Sequence, residues 1–381
     1  MNFKTEEVLA LKSISGIGNQ TILRILNGCK NFYDLLDLDF LRFKEITKLK
    51  DAEKIFEYLQ NNYEQEIGKA KRKIEDYEEK NIKVIGINSD KYPKKFNRLN
   101  DRPVIIFCKG NLQLLNWDHS IAVIGTRDCT KIGFNIGTKT ATYFAERNFN
   151  IVSGLAIGID TSAHLGALNA KGLTTAVVVE VEKIYPKENR ILAENILLNN
   201  GLLISENEPG SFVNKNMFVL RDRLQSALSD AVFPIETDIK GGTMHTVGYT
   251  IEYQKPIYCP DLQVIKGYDI YNSKAQGVLH LIREGKAKAY TSSDYPDIYK
   301  KITGNEIDLP EVKIIDEKIN SKLDNKPSKY LFDLKEFTIE KPKKEKVLRK
   351  ITKETKKKGL KRSERKSNGK KIIENDKKGD S

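Results

Sequence analysis

The sequence is poor in cysteine and has no long apolar run. Its four cysteines, Cys29, Cys108, Cys129 and Cys259, are far apart and form no C-x-x-C pair, which argues against a zinc site and favours a reducing compartment. No stretch of about 18 apolar residues occurs, and the first residues, MNFKTEEVLALK, lack the basic flank and apolar region of a signal peptide. We therefore expect a cytoplasmic protein that does not enter a membrane and needs no metal or other cofactor.

Positive charge is unevenly distributed along the chain. The 381 residues have a formal net charge of +13, but residues 341–381 contain 18 Lys and Arg against 6 Asp and Glu. That segment has too few apolar residues to bury a core, so it is predicted to be a disordered basic tail, preceded by a weakly structured linker over residues 305–340. The tail either adds phosphate contacts or is a solubilising, nonspecific polybasic arm, and it does not by itself identify a function.

Residues 1–70 are predicted to form a small helical domain. The segment SISGIGNQTILRIL places Gly16 and Gly18 between two apolar-periodic segments, as in a helix-hairpin-helix or SAM-like motif whose backbone N–H groups approach a phosphate. The alternative is a tight turn without a ligand, because no basic residue is adjacent to the glycines. A charged helix is predicted over residues 62–80.

Strands and helices alternate over residues 78–304. Short apolar segments, among them IAVIG, NIVSG, TTAVVVEV, LLISE, AVFPIE and PIYCP, are separated by segments of helical length. This alternation predicts βαβ units and therefore the α/β class, with an extended Rossmann-like parallel sheet that has helices on both faces.

Three loops that follow predicted strands share one composition. They are GTRDCT (residues 125–130), SGLAIGID (residues 153–160) and KGGTMHT (residues 240–246), and each combines glycine with hydroxyl side chains before a predicted helix. Glycine lets a backbone approach a ligand closely, and a helix N-terminus favours an anion. Because such loops meet at the carboxyl edge of a parallel sheet, they predict a phosphate pocket with Arg127 and Lys240 as its cations. Asp160 is expected to cap the helix that follows it.

Two arginines begin the predicted helix FVLRDRLQSALSDA. Arg221 and Arg223 lie where cations are locally unfavourable, which suggests a partner anion. The alternative is that they form ion pairs with Asp222, Glu206 or Glu208. No loop matches the P-loop, dinucleotide-binding or nucleophile-elbow patterns, so those three functions have no support in the sequence.

Together these segments resemble the DprA/Smf family of DNA-processing proteins over about residues 82–260. The matching segments, in chain order, are Gly125-Thr126-Arg127, Ser153-Gly154-Leu155-Ala156, Gly158-Ile159-Asp160, Ala163-His164, Tyr185-Pro186-Lys187-Glu188-Asn189, Ser205-Glu206, Pro209-Gly210, Phe218-Val219-Leu220-Arg221-Asp222-Arg223 and Lys240-Gly241-Gly242-Thr243.

The resemblance implies a protein that binds and protects single-stranded DNA, forms a homodimer and helps to load a RecA-type recombinase in natural transformation. Such a protein is not an enzyme. The residues expected to contact nucleic acid or phosphate are Gly125, Thr126, Arg127, Ser153, Gly154, Gly158, Asn189, Arg221, Arg223, Lys240, Gly241, Gly242 and Thr243. Asp160 and His164 are expected to structure the site, although a lone histidine on a helix is also a common packed residue.

The chain departs from the family pattern at several positions. Ile157 replaces the usual arginine, Asp222 stands where asparagine is usual, Glu180 lies in a loop that is normally glycine-rich, and no winged-helix segment is evident. Two other functions therefore stay open. One is a nucleoside monophosphate hydrolase resembling the LOG family, with Glu180 or Glu236 as its carboxylate, and the other is a sensor of a phosphorylated nucleotide.

Overall fold

The computed structural model of the chain describes residues 2–305. The predicted basic tail, residues 341–381, lies outside the described residues, and so does the predicted linker apart from residue 305.

Five helices form the N-terminal part of the chain. They are α1 (Thr5–Ser13), α2 (Asn19–Gly28), α3 (Phe32–Leu36), α4 (Phe40–Thr47) and α5 (Ala52–Glu79). The turn between α1 and α2 holds Gly16 at a φ of +92°, a conformation that favours glycine. Arg24 donates to the backbone oxygen of Thr47 at 3.1 Å. Arg24 is thus used inside the helical part, which favours the tight-turn alternative for the hairpin.

The long helix α5 differs from its prediction. Its charged surface predicts a helix only from residue 62, but the structure begins it at Ala52 because Ile55 and Leu59 supply a buried apolar face one to two turns earlier. The helix also crosses residue 70, where the sequence places a domain boundary. The division into a helical domain and a Rossmann-like domain stays a prediction.

A seven-stranded sheet forms the centre of the fold. Its strands are β1 (Lys83–Gly86), β2 (Ile105–Gly110), β3 (Ser120–Ile124), β4 (Asn150–Ser153), β5 (Thr174–Val177), β6 (Leu202–Ser205) and β7 (Ala231–Pro234), in the spatial order β1-β2-β6-β5-β4-β3-β7. Strands β3 to β7 are parallel, whereas β2 is antiparallel to both of its neighbours, β6 and the edge strand β1. The prediction of a mostly parallel Rossmann-like sheet is confirmed, with an antiparallel edge that the sequence pattern does not predict.

Helices cover both faces of the sheet. They are α6 (Lys131–Ala145), α7 (Ile159–Asn169), α8 (Arg190–Leu198), α9 (Lys215–Leu228) and α10 (Thr243–Glu252). Alternate residues of β3 pack on opposite sides: Val123 lies in a cluster with Phe144 of α6, and Ala122 lies in a cluster with Leu224 of α9. This alternation follows from the two-residue period of a strand. No helix in residues 2–305 is long and apolar enough to span a membrane.

The segment after the large sheet contains the predicted strand PIYCP and further elements that the sequence pattern does not assign. Strand β8 (Tyr258–Pro260) pairs with β9 (Lys288–Tyr290) in a separate two-stranded parallel sheet, and α11 (Ser273–Arg283) and α12 (Tyr295–Thr303) accompany it. The segment PIYCP is expected in the main sheet. It pairs with β9 instead, and it contacts β7 through an isolated bridge from Ile257 to Val232 and through the Tyr258 ring, which stacks on Phe233 at 5.3 Å.

The helical part is fastened to the loop that follows β6. The Lys12 ammonium of α1 donates to the backbone oxygen of Glu206 at 3.0 Å, and Lys73 and Tyr77 of α5 each bind the Glu208 carboxylate at 2.8 Å. One hydrophobic cluster also includes residues of α1, α5 and β2. The position of the loop after β6 therefore depends on the helical part.

Candidate nucleic-acid interface

A cavity of about 760 Å³ opens at the carboxyl edge of the parallel strands. Loops that follow β3, β4, β5 and β7 form its walls together with one side of α9. This is the edge at which open α/β sheets bind ligands. Eight of the predicted site residues line the cavity: Gly125, Thr126, Arg127, Asp160, Arg221, Gly241, Gly242 and Thr243.

The loop after β3 carries an accessible cation into the cavity. The N–H of Thr126 donates to the backbone oxygen of Glu236 at 2.7 Å, which ties this loop to the end of β7. Arg127 is exposed, and its guanidinium lies 5.9 Å from the centre of the Phe218 ring. No residue within 2–305 forms a hydrogen bond or ion pair with the Arg127 side chain that would compete with a ligand anion.

The loop after β4 uses its glycines for packing against protein. A Cβ on Gly154 would lie 1.7 Å from the Arg221 Nη1, and a Cβ on Gly158 would lie 2.4 Å from the backbone oxygen of Thr126. Gly158 also has a φ of +88°. Neither glycine lines the cavity; Gly154 leaves room for the Arg221 guanidinium, and Gly158 lets the β3 and β4 loops touch.

Asp160 does not cap α7, contrary to the prediction. The helix begins at Ile159 with Gly158 as its N-cap, so Asp160 is already in the first turn. Its carboxylate turns back and accepts from the N–H of Ala156 at 3.2 Å. Burial raises the pKa of Asp160, and the positive charge of Arg221 opposes that rise. The expected role of Asp160 in structuring the site stays a prediction that this contact supports.

Helix α9 presents its two arginines to different surroundings. The Arg221 side chain is 8% exposed and lines the cavity, with Nη1 3.3 Å from the Asp222 Oδ1 and no acceptor for Nε among the described residues. Arg223 is 3% exposed and lies off the cavity, where it binds Glu206 at 2.7 Å and Asp101 at 2.9 Å. The ion-pair alternative therefore holds fully for Arg223, which pairs with Glu206, and in part for Arg221, which pairs with Asp222 but has an Nε without an acceptor there.

The loop after β7 completes the cavity. Gly241, Gly242 and Thr243 line it where α10 begins. A Cβ added to Gly242 would meet no atom within 4 Å, so the backbone there is open to a ligand. Lys240 is exposed but is not part of the lining. The cation expected in this loop is thus at the rim and not in the cavity itself.

Three other predicted residues are buried and bonded to protein. The Ser153 hydroxyl donates to the backbone oxygen of Val123 at 2.7 Å, and Asn189 Nδ2 donates to that of Leu155 at 2.8 Å. His164 Nδ1 is 2.7 Å from the Thr174 hydroxyl, and burial lowers the pKa of His164 to about 3, so its ring is neutral. None of the three lines the cavity, so each can support the loops but not touch a ligand there.

The carboxylates considered for a hydrolase point away from the cavity. Glu236 is fully buried and accepts from the backbone N–H and hydroxyl of Thr130 and from the Tyr268 hydroxyl. Glu180 is 1% exposed and accepts from two backbone N–H groups of its own turn, those of Glu182 and Lys183. Within residues 2–305 no group of three or more His, Cys, Asp or Glu side chains is arranged to hold a metal ion.

Several cavity residues are not assigned to the site by the sequence. They include Tyr185, Lys215, Phe218, Asp222, Gln225 and His245. Phe218 precedes Asp222 by four residues on α9, so the two share one face of the helix. That spacing, together with a helix start that contains two arginines, is the signal in the sequence that would have identified them.

Known proteins of one family are similar to this chain in sequence. Residues 83–303 match the family model described as DNA recombination-mediator protein A. The chain is 31% identical to the DNA processing protein DprA of Bacillus subtilis (strain 168) over 254 residues, which is 66% of this chain and 82% of that protein. It is 30% identical over 293 residues to DprA of Streptococcus pneumoniae, covering 77% and 96% of the two chains.

Solved structures of DNA processing protein A are similar to this chain in fold. The crystal structure of DNA processing protein A from Streptococcus pneumoniae is similar with a TM-score of 0.62 and 29% identity over 79% of this chain and 99% of that one. DNA processing protein A from Helicobacter pylori, described for its single-stranded DNA binding mode, is similar with a TM-score of 0.50 and 29% identity over 57% and 96%. The chain belongs to the DNA recombination-mediator protein A family, also called DprA/Smf.

Proposed function

We propose that this member of the DNA recombination-mediator protein A family binds single-stranded DNA in the cavity at the carboxyl edge of its sheet. The observation that carries the proposal is that two arginines on the cavity wall have donor groups without a protein acceptor among the described residues. Arg127 is exposed and has no ion-pair partner among residues 2–305, and Arg221 is buried on the wall with Nε lacking an acceptor there. A buried arginine is stabilised by a charged acceptor, and a phosphate oxygen is the acceptor that nucleic acid supplies.

Two aromatic side chains lie in the cavity together with these cations. Phe218 and Tyr185 both line the cavity and are partly exposed. Aromatic faces stack on bases of any type, while arginines and open backbone N–H groups bind the sugar-phosphate chain. This combination suits a single strand, whose bases are free to stack, and it holds the strand without reading most of its sequence.

The proposed function includes a role of the protein in recombination. In this role the protein protects incoming single strands, forms a homodimer and helps to load a RecA-type recombinase during natural transformation. The family resemblance supports these steps. The four cysteines are all buried and unpaired, which supports a cytoplasmic location where thiols stay reduced.

A sensor of a phosphorylated nucleotide is the second candidate. Its support is the volume of about 760 Å³, which lies within the range of small-ligand sites. Competition distinguishes the two candidates. A DNA-binding site releases an oligonucleotide only at mononucleotide concentrations far above the oligonucleotide Kd, whereas a sensor releases it at comparable concentrations.

The proposed function is tested by oligonucleotide binding at several salt concentrations. We expect Arg127→Ala to weaken binding both in the full chain and in a truncation that ends at residue 335. The truncation alone should mainly reduce the salt dependence, by about 0.7 in the log–log slope for each lost phosphate contact. If only the truncation weakens binding, the basic tail binds the DNA and the cavity does not.

A further inference from the structure

The cavity is not lined by cations alone. Its charged side chains other than histidine are three cations and three carboxylates: Arg127, Lys215, Arg221, Asp160, Asp222 and Asp238. A site that binds only phosphate gains from cations and is weakened by carboxylates. The equal numbers therefore indicate that part of the ligand carries hydrogen-bond donors instead of negative charge.

Asp222 is the carboxylate best placed to meet such donors. Its side chain is 16% exposed and lies on the cavity wall. The Oδ1 atom accepts from Gln225 Nε2 at 3.0 Å, whereas Oδ2 accepts no hydrogen bond from the residues that the structure describes. Burial raises the pKa of Asp222 to about 6, so the group is still ionised at neutral pH. A buried ionised carboxylate with an unused oxygen is a strong acceptor.

The neighbouring ring sets where a base would lie. Phe218 is one helical turn before Asp222, and residues at this spacing are about 5–6 Å apart at Cβ. Both side chains line the cavity. A base stacked on the Phe218 ring would therefore have an edge within reach of the Asp222 carboxylate, while Arg221 and Arg127 hold the adjacent phosphates.

We propose that Asp222 makes this site selective for guanine within single-stranded DNA, an inference that depends on the proposed function. Guanine has two neighbouring donors on its Watson–Crick edge, N1–H and N2–H, which match the two oxygens of a carboxylate. Oδ2 is unused, and at Oδ1 the second donor would take the place of the 3.3 Å contact from Arg221, whose guanidinium would bind the phosphate instead. Thymine offers a single N3–H between two carbonyl oxygens, which the carboxylate repels. Adenine and cytosine place a ring acceptor beside their amino group.

The experiment compares short thymine oligonucleotides that are identical except for one central base. With the full chain we expect a central guanine to bind about fivefold or more tightly than thymine, and inosine, which lacks the N2 amino group, to lie between them. Asp222→Asn should remove this preference, so that the guanine strand binds no more tightly than the all-thymine strand to the same variant. Asp238→Asn, which neutralises an exposed carboxylate on the same cavity, is the matched control and should keep the preference.

The outcomes separate the two proposals. If the unmodified chain binds all the strands with equal affinity, guanine selectivity is wrong and DNA binding stands. If it binds none of them, the proposed function fails and the selectivity with it. A guanine preference that survives Asp222→Asn would overturn the role of Asp222, and the inosine strand tests the same contact without any change to the protein.

Discussion

Arg221 and Arg223 are two residues apart on one helix, yet they have opposite surroundings. Arg223 lies away from the cavity and forms ion pairs with Glu206, in the loop after β6, and with Asp101. Arg221 lies on the cavity wall, with a single contact of 3.3 Å to Asp222 and an Nε without an acceptor among the described residues. The difference fits the proposal that Arg221 binds an anion, while Arg223 stabilises the fold; both lie in the middle of α9 and not at its start, where the sequence pattern places them.

The contacts of Arg223 extend beyond its own ion pairs and leave it unavailable to a ligand in the cavity. The Glu206 that binds Arg223 also offers its backbone oxygen to Lys12 of α1. Arg223 is thus part of a network that reaches the N-terminal helices. On the cavity wall Arg221 pairs only with Asp222 among the described residues, which fits the proposal that Arg221 and Arg127 bind a ligand.

The largest expected effect comes from removing the ion pairs of Arg223. We expect Arg223→Met to lower the free energy of unfolding by about 3–5 kcal/mol, because it leaves Glu206 buried without its partner. Denaturant titration of the full chain measures this loss. Arg190→Met is the control: Arg190 is exposed and pairs only with Glu194 at 3.1 Å among the described residues, so its loss should be about 0.5 kcal/mol or less. Equal losses for the two variants would contradict the structural role of Arg223.

A smaller effect is expected from crowding Arg221 without changing it. In Gly154→Ala the new methyl group would overlap the Arg221 Nη1, so the guanidinium must move and oligonucleotide affinity should fall about tenfold, or ~1.4 kcal/mol. Gly248→Ala is the matched control, because nothing lies within 4 Å of its added Cβ. Affinity for a thymine oligonucleotide measures both variants, and unchanged affinity in Gly154→Ala would place the ligand elsewhere.

The smallest predicted effect is on pH dependence. The pKa of Asp222 is raised to about 6 mainly by burial, with Asp160 raising it further and Arg221, His245 and Arg127 lowering it. A bound phosphate would raise it again, so affinity for a thymine strand should increase a few-fold as the pH falls from about 8 to below 6.

The raised pKa of Asp222 also predicts how the stability of the fold changes with pH. Since the folded-state pKa of Asp222 is above its unfolded value, its contribution to stability is full below about pH 4 and is lost as the pH rises through about 6. Asp222→Asn should flatten this part of both pH profiles. A slope that persists in the variant would assign the effect to another group.

Much of the fold and the location of the site follow from sequence pattern. Loops after parallel strands meet at one edge, and this rule correctly brings Arg127 of the β3 loop and Gly242 of the β7 loop to one cavity. The antiparallel edge and the β8–β9 sheet could not be predicted because short apolar segments do not specify their partners. Pairing is decided by packing between distant parts of the chain.

The roles of single residues were harder to predict. Gly154 faces Arg221, 67 positions further along the chain, so only the folded structure shows that the glycine makes room for a guanidinium. Asp101 and Arg223 are likewise 122 residues apart. Their pairing could not be read from local pattern, and a sequence motif with two arginines gave no means to tell a ligand-binding cation from a structural one.

The most direct test is the affinity of the full chain for single-stranded DNA when each arginine of α9 is replaced by methionine, normalised to the folded fraction. We predict that Arg221→Met weakens binding about tenfold or more, since it removes a buried charged donor, while Arg223→Met leaves the affinity of the folded molecules within about twofold. Equal weakening by Arg223→Met and Arg221→Met, or no change in either variant, would contradict the assignment of Arg221 to the ligand and Arg223 to the fold.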